Sequence, residues 1–365
     1  MKGRQLLDPK ILVMVPSLDS VGGVANYYAA LKDKFSSRIE YCVRGTRNQN
    51  NKKIWEEPIR FVRDIYEYRQ KIHTGDYELV HINTSLGPFS VIRDCIYIRL
   101  AQKRNIACIP FFRGWSIQAV HRVEKYLHRI LKNTYLKCPA IITLSMESEK
   151  QIKAWGFKGH IYRETTLVDE ILLDGFDIAD RHRILDGDRF SLLFMARLEF
   201  YKGIRELIEA FIEIRKKYID ISLIIAGTGG AMKYVEDMAR KHSGITVLGH
   251  VSGKDKALAL TRASVFCLPS YAEGMPNSIL EAKAFGLPVI CTPVGGVKDT
   301  IKDGKNGILV EAKNVDAIVK AIEELYLDKN LCKKMSYMNY TESAVYYSQA
   351  VATRLEKIYD KTLKR

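Results

Sequence analysis

Two carboxylates, Glu273 and Glu281, frame the segment Glu-Gly-Met-Pro-Asn-Ser-Ile-Leu-Glu. Its layout predicts a loop, a helix start and a helix interior. Proline suits the first helical position, where its missing N–H would go unpaired anyway. The N–H groups of Asn277 and Ser278 then form a small anion site at the positive end of the helix. Gly274, followed by Met275, lets a ligand approach the backbone closely. In a mostly helical segment the carboxylates lie up to ~12 Å apart along the axis. That separation suits the two ends of an extended ligand. On spacing alone, two solvated helix charges would explain the pair as well.

Other segments carry compatible chemistry. Met195-Ala-Arg-Leu-Glu-Phe-Tyr-Lys-Gly203 closes an apolar run and places Arg197 and Lys202 on one loop. Two cations there can neutralise a diphosphate and stabilise charge on a leaving group, in the place of a metal. Surface cations are the plain alternative. Gly22-Gly23 follows the first apolar run and opens a helix, a turn that admits a bound group near a helix start. It lacks the full dinucleotide fingerprint, and a tight turn would also explain it. Ala226-Gly227-Thr228-Gly229-Gly230 closes another apolar run, and its glycines permit backbone contact with a ligand.

The carboxylate pair, Ala-Phe-Gly-Leu-Pro-Val-Ile at 284–290 and Gly-Gly-Val-Lys-Asp at 295–299 resemble the family 4 retaining glycosyltransferases (glycosyl transferases group 1). The resemblance is strong over 190–312 and weaker before 190. It implies an α/β GT-B fold, two Rossmann-like domains facing a central cleft. It also implies that Glu281 binds the ribose of a sugar nucleotide. Glu273 and the adjoining backbone face the donor sugar, Arg197 and Lys202 hold the diphosphate, and Gly22-Gly23 lies near the phosphates and the acceptor. The region of Leu248–Val251 flanks the base. Three departures stand out. Ala196 replaces the glycine of the Gly-Arg-Leu-x-x-x-Lys-Gly pattern. Arg113 stands where relatives often carry a histidine, and is read as a ligand for an acceptor phosphate or the donor. Glu164–Asp169 keeps only the final Val-Asp of the usual Asn-Gly-Val-Asp.

The elements that must position these residues follow from the pattern. Short apolar runs alternate with amphipathic stretches in two series, which predicts two parallel sheets covered by helices. Strands are expected near 11–17, 41–44, 79–83, 107–112 and 140–145, and again near 192–196, 222–226, 245–248, 265–269, 289–292 and 307–310. The expected domains are 1–170 on the acceptor side and 171–345 for the nucleotide sugar. A final helix, 346–365, crosses back to the first domain, as the resemblance implies. Residues 46–53 read as a polar loop.

Composition bounds the partners. The 365 residues suffice for two domains, and 47% apolar with 27% charged content fits a globular chain. No apolar run reaches membrane-span length and no secretory signal is evident. Seven scattered cysteines predict buried, reduced thiols in the cytoplasm rather than a metal site. The net charge of +15 is uneven. Residues 1–170 hold 28 Lys+Arg against 17 Asp+Glu, net +11, and residues 171–365 hold 29 against 25, net +4. Phosphorylated acceptors or an anionic membrane fit this, as does solubility alone; nucleic acid is not expected, since no binding motif accompanies the charge. Residues 89–105 and 117–136 form basic amphipathic stretches that could rest on a membrane or be ordinary helices.

The sequence reading is therefore a metal-independent, retaining glycosyltransferase of hexosyltransferase type with no cofactor. Its donor is a nucleoside diphosphate sugar, UDP or GDP. Its acceptor is a glycan or lipid-linked hydroxyl in surface polysaccharide biosynthesis, reached from the cytoplasm with peripheral contact at the inner face of the membrane. A non-catalytic sugar-nucleotide sensor and a GT-B sugar-nucleotide epimerase are the alternatives. Donor turnover separates them: a sensor releases no nucleotide, and an epimerase needs no acceptor.

Overall fold

A computed structural model describes residues 9–20, 22–45, 57–115 and 117–364. The polar loop expected at 46–53 lies outside these residues. The chain divides into two compact units, 1–165 with 348–365, and 166–347. The divisions fall after Thr165 and Tyr347, where the sequence reading put them at 170 and 345.

Unit 1 is built on a six-stranded parallel sheet: β1 Lys10–Pro16, β2 Ile39–Arg44, β3 Tyr77–Ser85, β4 Ala107–Gly114, β5 Ala140–Thr143 and β6 His160–Arg163. The spatial order is β2-β1-β3-β4-β5-β6. Ile11 to Val15 are all buried, the continuous apolar run of a strand covered on both faces. β6 was not anticipated. Among the described residues it pairs only with β5, at the sheet edge, and its sequence His-Ile-Tyr-Arg needs no apolar run because its side chains are half-buried or exposed. The last helix, Ser348–Leu363, closes this unit. Tyr359 Oη lies 2.8 Å from His81 Nδ1 of β3, and Arg354 embraces the Glu164 carboxylate with contacts of 2.6 to 3.1 Å.

Unit 2 holds β7 Phe190–Met195, β8 Ile221–Ala226, β9 Ile245–Gly249, β10 Val265–Leu268, β11 Val289–Cys291 and β12 Gly307–Leu309. The order is β12-β11-β10-β7-β8-β9, again all parallel. Helix Ile204–Arg215 shows why helices cover such a sheet: Ile204, Leu207, Ile208, Phe211 and Ile214 recur on one face and are all buried. In both sheets the strand order reverses beside the first strand, between β1 and β3 and between β7 and β10. Open parallel sheets bind ligands beyond the carboxyl ends of strands at such points. Gly22-Gly23 follows β1, the Arg197–Lys202 loop follows β7, and Glu273 follows β10.

Candidate functional site

In unit 2 four loops meet at the carboxyl ends of the strands. The loop after β7 makes one turn at Phe200–Lys202 and ends at Gly203, whose φ of 75° is costly for any other residue. A Cβ there would lie 2.1 Å from the Pro269 carbonyl oxygen, so Gly203 lets this loop press against the one after β10. Tyr271 N–H donates to Tyr201 O at 2.8 Å across the same seam. The result is an ion pair: Lys202 Nζ sits 2.7 Å from Glu273 Oε1. Ser270 Oγ donates to the same oxygen at 2.7 Å, and Thr292 Oγ1, from the loop after β11, donates to Ser270 O. Both charged groups are largely covered, so each holds the other in place. Arg197 is exposed on the β7 loop and donates through Nη2 to Tyr201 Oη at 3.0 Å.

The glycines were expected to open the backbone to a ligand. At Gly227 (φ 144°) the room left by the missing Cβ is taken by the Ala196 carbonyl oxygen, 1.9 Å from where a Cβ would stand. The protein's own loops use that space. The same holds at Gly295, against Glu273 O, and Gly296 N–H donates to Gly274 O at 2.6 Å. The segment around Glu273 and Gly274 is thus held by its neighbours before any ligand arrives.

Helix Asn277–Ala284 carries Glu281. Pro276 is its extended N-cap (ψ 120°), one residue earlier than the first helical position the sequence suggested. Asn277 and Ser278 open the helix half-exposed, with N–H groups that have no intrahelical partner. Met275 is buried, its Sδ 3.4 Å from Thr300 Oγ1. Glu281 is not free. Its Oε1 lies 2.9 Å from Nζ of Lys256 on helix Gly253–Arg262. The two glutamates therefore have separate cationic partners, Lys202 and Lys256.

Sequence reasoning missed Lys256, Ser270 and Arg181. Arg181 is wholly buried. It donates to Phe285 O at 3.0 Å, to Leu260 O at 2.6 Å and to Ala263 O. These carbonyls lie at the carboxyl ends of the Lys256 and Glu281 helices, where a cation also meets the negative end of the helix dipole. Burial pushes the guanidinium pKa down to about 9, so it stays charged at neutral pH. No motif marks it; Arg-His-Arg at 181–183 reads as surface charge. The sequence reading held that the chain has no Asp-x-Asp, in support of metal independence; Asp186-Gly187-Asp188 is one. It precedes β7 at the amino edge of the sheet, opposite the loops above, beside a cavity of about 340 Å³, and Asp186 pairs with Lys333. Among the described residues no three His, Cys, Asp or Glu side chains gather as a metal site.

In unit 1 Gly22 and Gly23 are exposed, and a Cβ at either would meet nothing within 4 Å. Tyr27, on the helix they open, lies under Arg113 of β4, whose guanidinium carbon is 3.9 Å from the ring centroid. Among the described residues Arg113 Nη1 is buried without a hydrogen-bond partner. Beside them His81 Nε2 meets Tyr28 Oη at 3.0 Å, and Tyr28 donates to Asn83. Burial first, and then the Arg113 charge, push the His81 pKa down to about 3, so the ring is neutral at pH 7. Unit 1 thus brings Gly22, Gly23 and Arg113 to one end of its sheet, while the remaining candidates lie in unit 2.

Two parallel sheets of this order, with these loops at their carboxyl ends, define the GT-B fold. Over its whole length the chain resembles sucrose-phosphate synthase from Thermosynechococcus elongatus, with a TM-score of 0.77, 18% identity, and coverage of 97% of this chain and 98% of that one. Anabaena HepE in complex with UDP and glucose superimposes with a TM-score of 0.73 at 14% identity, covering 96% and 99%. Residues 177–342 match the family model Glycosyl transferases group 1. The capsular polysaccharide biosynthesis glycosyltransferase CapM of Staphylococcus aureus is 28% identical over 229 residues, 61% of this chain and 59% of CapM. The chain thus spans about three-fifths of the length of that relative. These matches show the GT-B fold.

Proposed function

We propose that this chain is a retaining glycosyltransferase of family 4, acting on a nucleoside diphosphate sugar, UDP or GDP, without a metal. The Lys202–Glu273 pair at the β7/β10 reversal carries the reading, because a cation held beside a carboxylate there suits a diphosphate and the sugar attached to it. Lys202 and Arg197 bind the diphosphate and stabilise its departure. The N–H groups of Asn277 and Ser278 add an anion site at a helix start. Glu281 accepts from the ribose hydroxyls, and Glu273 with Gly274 and Met275 orients the sugar. The C1–O bond to phosphate breaks and a C1–O bond to the acceptor forms on the same face. The acceptor proton passes to the departing phosphate oxygen.

The acceptor is a glycan or lipid-linked hydroxyl, and the pathway is surface polysaccharide assembly at the cytoplasmic face of the membrane. HepE's complex with UDP and glucose supports the nucleotide-sugar donor, and CapM's role in capsular polysaccharide biosynthesis supports the pathway. Gly22, Gly23 and Arg113 serve the acceptor side. The test is nucleotide release from a panel of UDP-, GDP- and ADP-sugars, with Lys202→Ala and Glu281→Ala as controls. Release from one donor, lowered roughly 100-fold or more in Lys202→Ala, is expected. A wild-type protein that binds none of these donors would overturn the proposal. Product of inverted anomeric configuration would overturn the retaining step.

A further inference from the structure

The strongest unexplained surface lies on helices Glu57–Thr74 and Pro88–Gln102 of unit 1. A helix on a sheet normally turns its apolar stripe inward and its polar side outward. Helix Glu57–Thr74 packs Ile65, Tyr68 and Ile72 on the core, with Asp64 buried beside them, yet it also exposes Ile59, Val62 and Tyr66 at 60 to 66%. Phe89 and Ile92 of the second helix are exposed as well. The Phe61 and Phe89 rings, with centroids 5.9 Å apart, join the two helices into one face. Its exposed polar residues are Arg63, Arg69, Gln70, His73, Thr74 and Arg99; none of the exposed described positions on either helix is acidic. Glu67 is partly covered and lies 3.8 Å from Arg63.

We propose that this face docks on an anionic lipid bilayer, with Ile59, Val62, Tyr66, Phe89 and Ile92 entering the headgroup region and the arginines meeting lipid phosphates. The inference rests on the lipid-linked acceptor proposed above and names the surface that would bring the enzyme to it. Aliphatic and aromatic anchors set among cations are the chemistry of an interfacial helix. No described helix is long and apolar enough to cross a membrane. The stretch at 117–136 does not share the exposed apolar face. Val120, Val123, Leu127 and Leu131 are buried, and Tyr126 is the one large hydrophobic exposed on it among the described residues.

The test is co-sedimentation of the full chain with vesicles of phosphatidylcholine alone and with 30–40% phosphatidylglycerol (roughly the range in which surface charge acts). Wild-type protein should bind the anionic vesicles at least tenfold more strongly than the neutral ones. Val62→Glu/Phe89→Glu should lose at least tenfold of that binding, and Arg63→Gln/Arg69→Gln severalfold. All these side chains are exposed, so unchanged thermal melting checks that each variant folds. Equal sedimentation of wild type and the Val62→Glu/Phe89→Glu variant would overturn the proposal. So would a wild-type dimer in solution that this variant converts to monomer, since the face would then be a protein interface. Donor hydrolysis without lipid, measured on the same variants, separates failure here from failure of the glycosyltransferase reading.

Discussion

Replacing Arg181 tests how the fold holds the proposed donor site together. Arg181→Met keeps the length and much of the volume of the side chain and removes every donor. Three backbone carbonyls, of Leu260, Ala263 and Phe285, then lose their partner in the interior. A buried acceptor left without its donor costs about 1–3 kcal/mol, so three partly relaxing carbonyls cost about 3–5 kcal/mol together. For a unit the size of residues 166–347, each kcal/mol lowers the melting temperature by roughly 2–4 °C, so the expected drop is roughly 6–20 °C. Calorimetry or far-UV circular dichroism would measure it. Arg181→Lys should recover less than half of the loss, because an ammonium has no planar fork to span three separate carbonyls. The same contacts tie down the ends of the helices bearing Lys256 and Glu281, so donor affinity should fall with stability. A melting temperature for Arg181→Met within about 2 °C of wild type would refute the argument that this buried cation braces the two helices.

Two further outcomes follow from the side-chain environment. Lys256→Met removes the partner that orients Glu281 at 2.9 Å, and should raise the KM for donor about 3- to 10-fold, a cost of about 1 kcal/mol, with kcat unchanged; steady-state kinetics with an unchanged KM would sink that role. His81 is neutral in the folded state, with its pKa down to about 3 from an ordinary 6.5. The unfolded chain therefore binds the extra proton first. Stability should be full above pH 6.5 and fall by up to about 1.4 kcal/mol per pH unit below it, in urea titrations between pH 7.5 and 5. A slope that is the same in His81→Gln would show that another group is responsible.

The sequence alone determined the fold class, because two series of short apolar runs separated by amphipathic stretches leave few alternatives to two parallel sheets. It also exposed the residue types at the strand ends, because loops there are rich in charge and glycine. It did not show β6, since an edge strand paired on one side needs no apolar run. It could not tell that Lys202 lies against Glu273 while Lys256 holds Glu281. Such pairings join loops and helices distant in sequence, and only the order of β7 beside β10 brings the first pair together. Nor could it tell what a glycine's missing side chain makes room for: at Gly227 that is the Ala196 carbonyl. Arg181 was invisible because a buried arginine with carbonyl partners has the same local pattern as a surface one. Helix Glu57–Thr74 makes the last point most directly. Its periodicity admits two faces, Asp64-Ile65-Tyr68-Ile72 and Ile59-Val62-Tyr66, both with apolar side chains, so hydrophobicity alone leaves the choice open. Packing on the sheet took the first and left the apolar residues of the second to solvent.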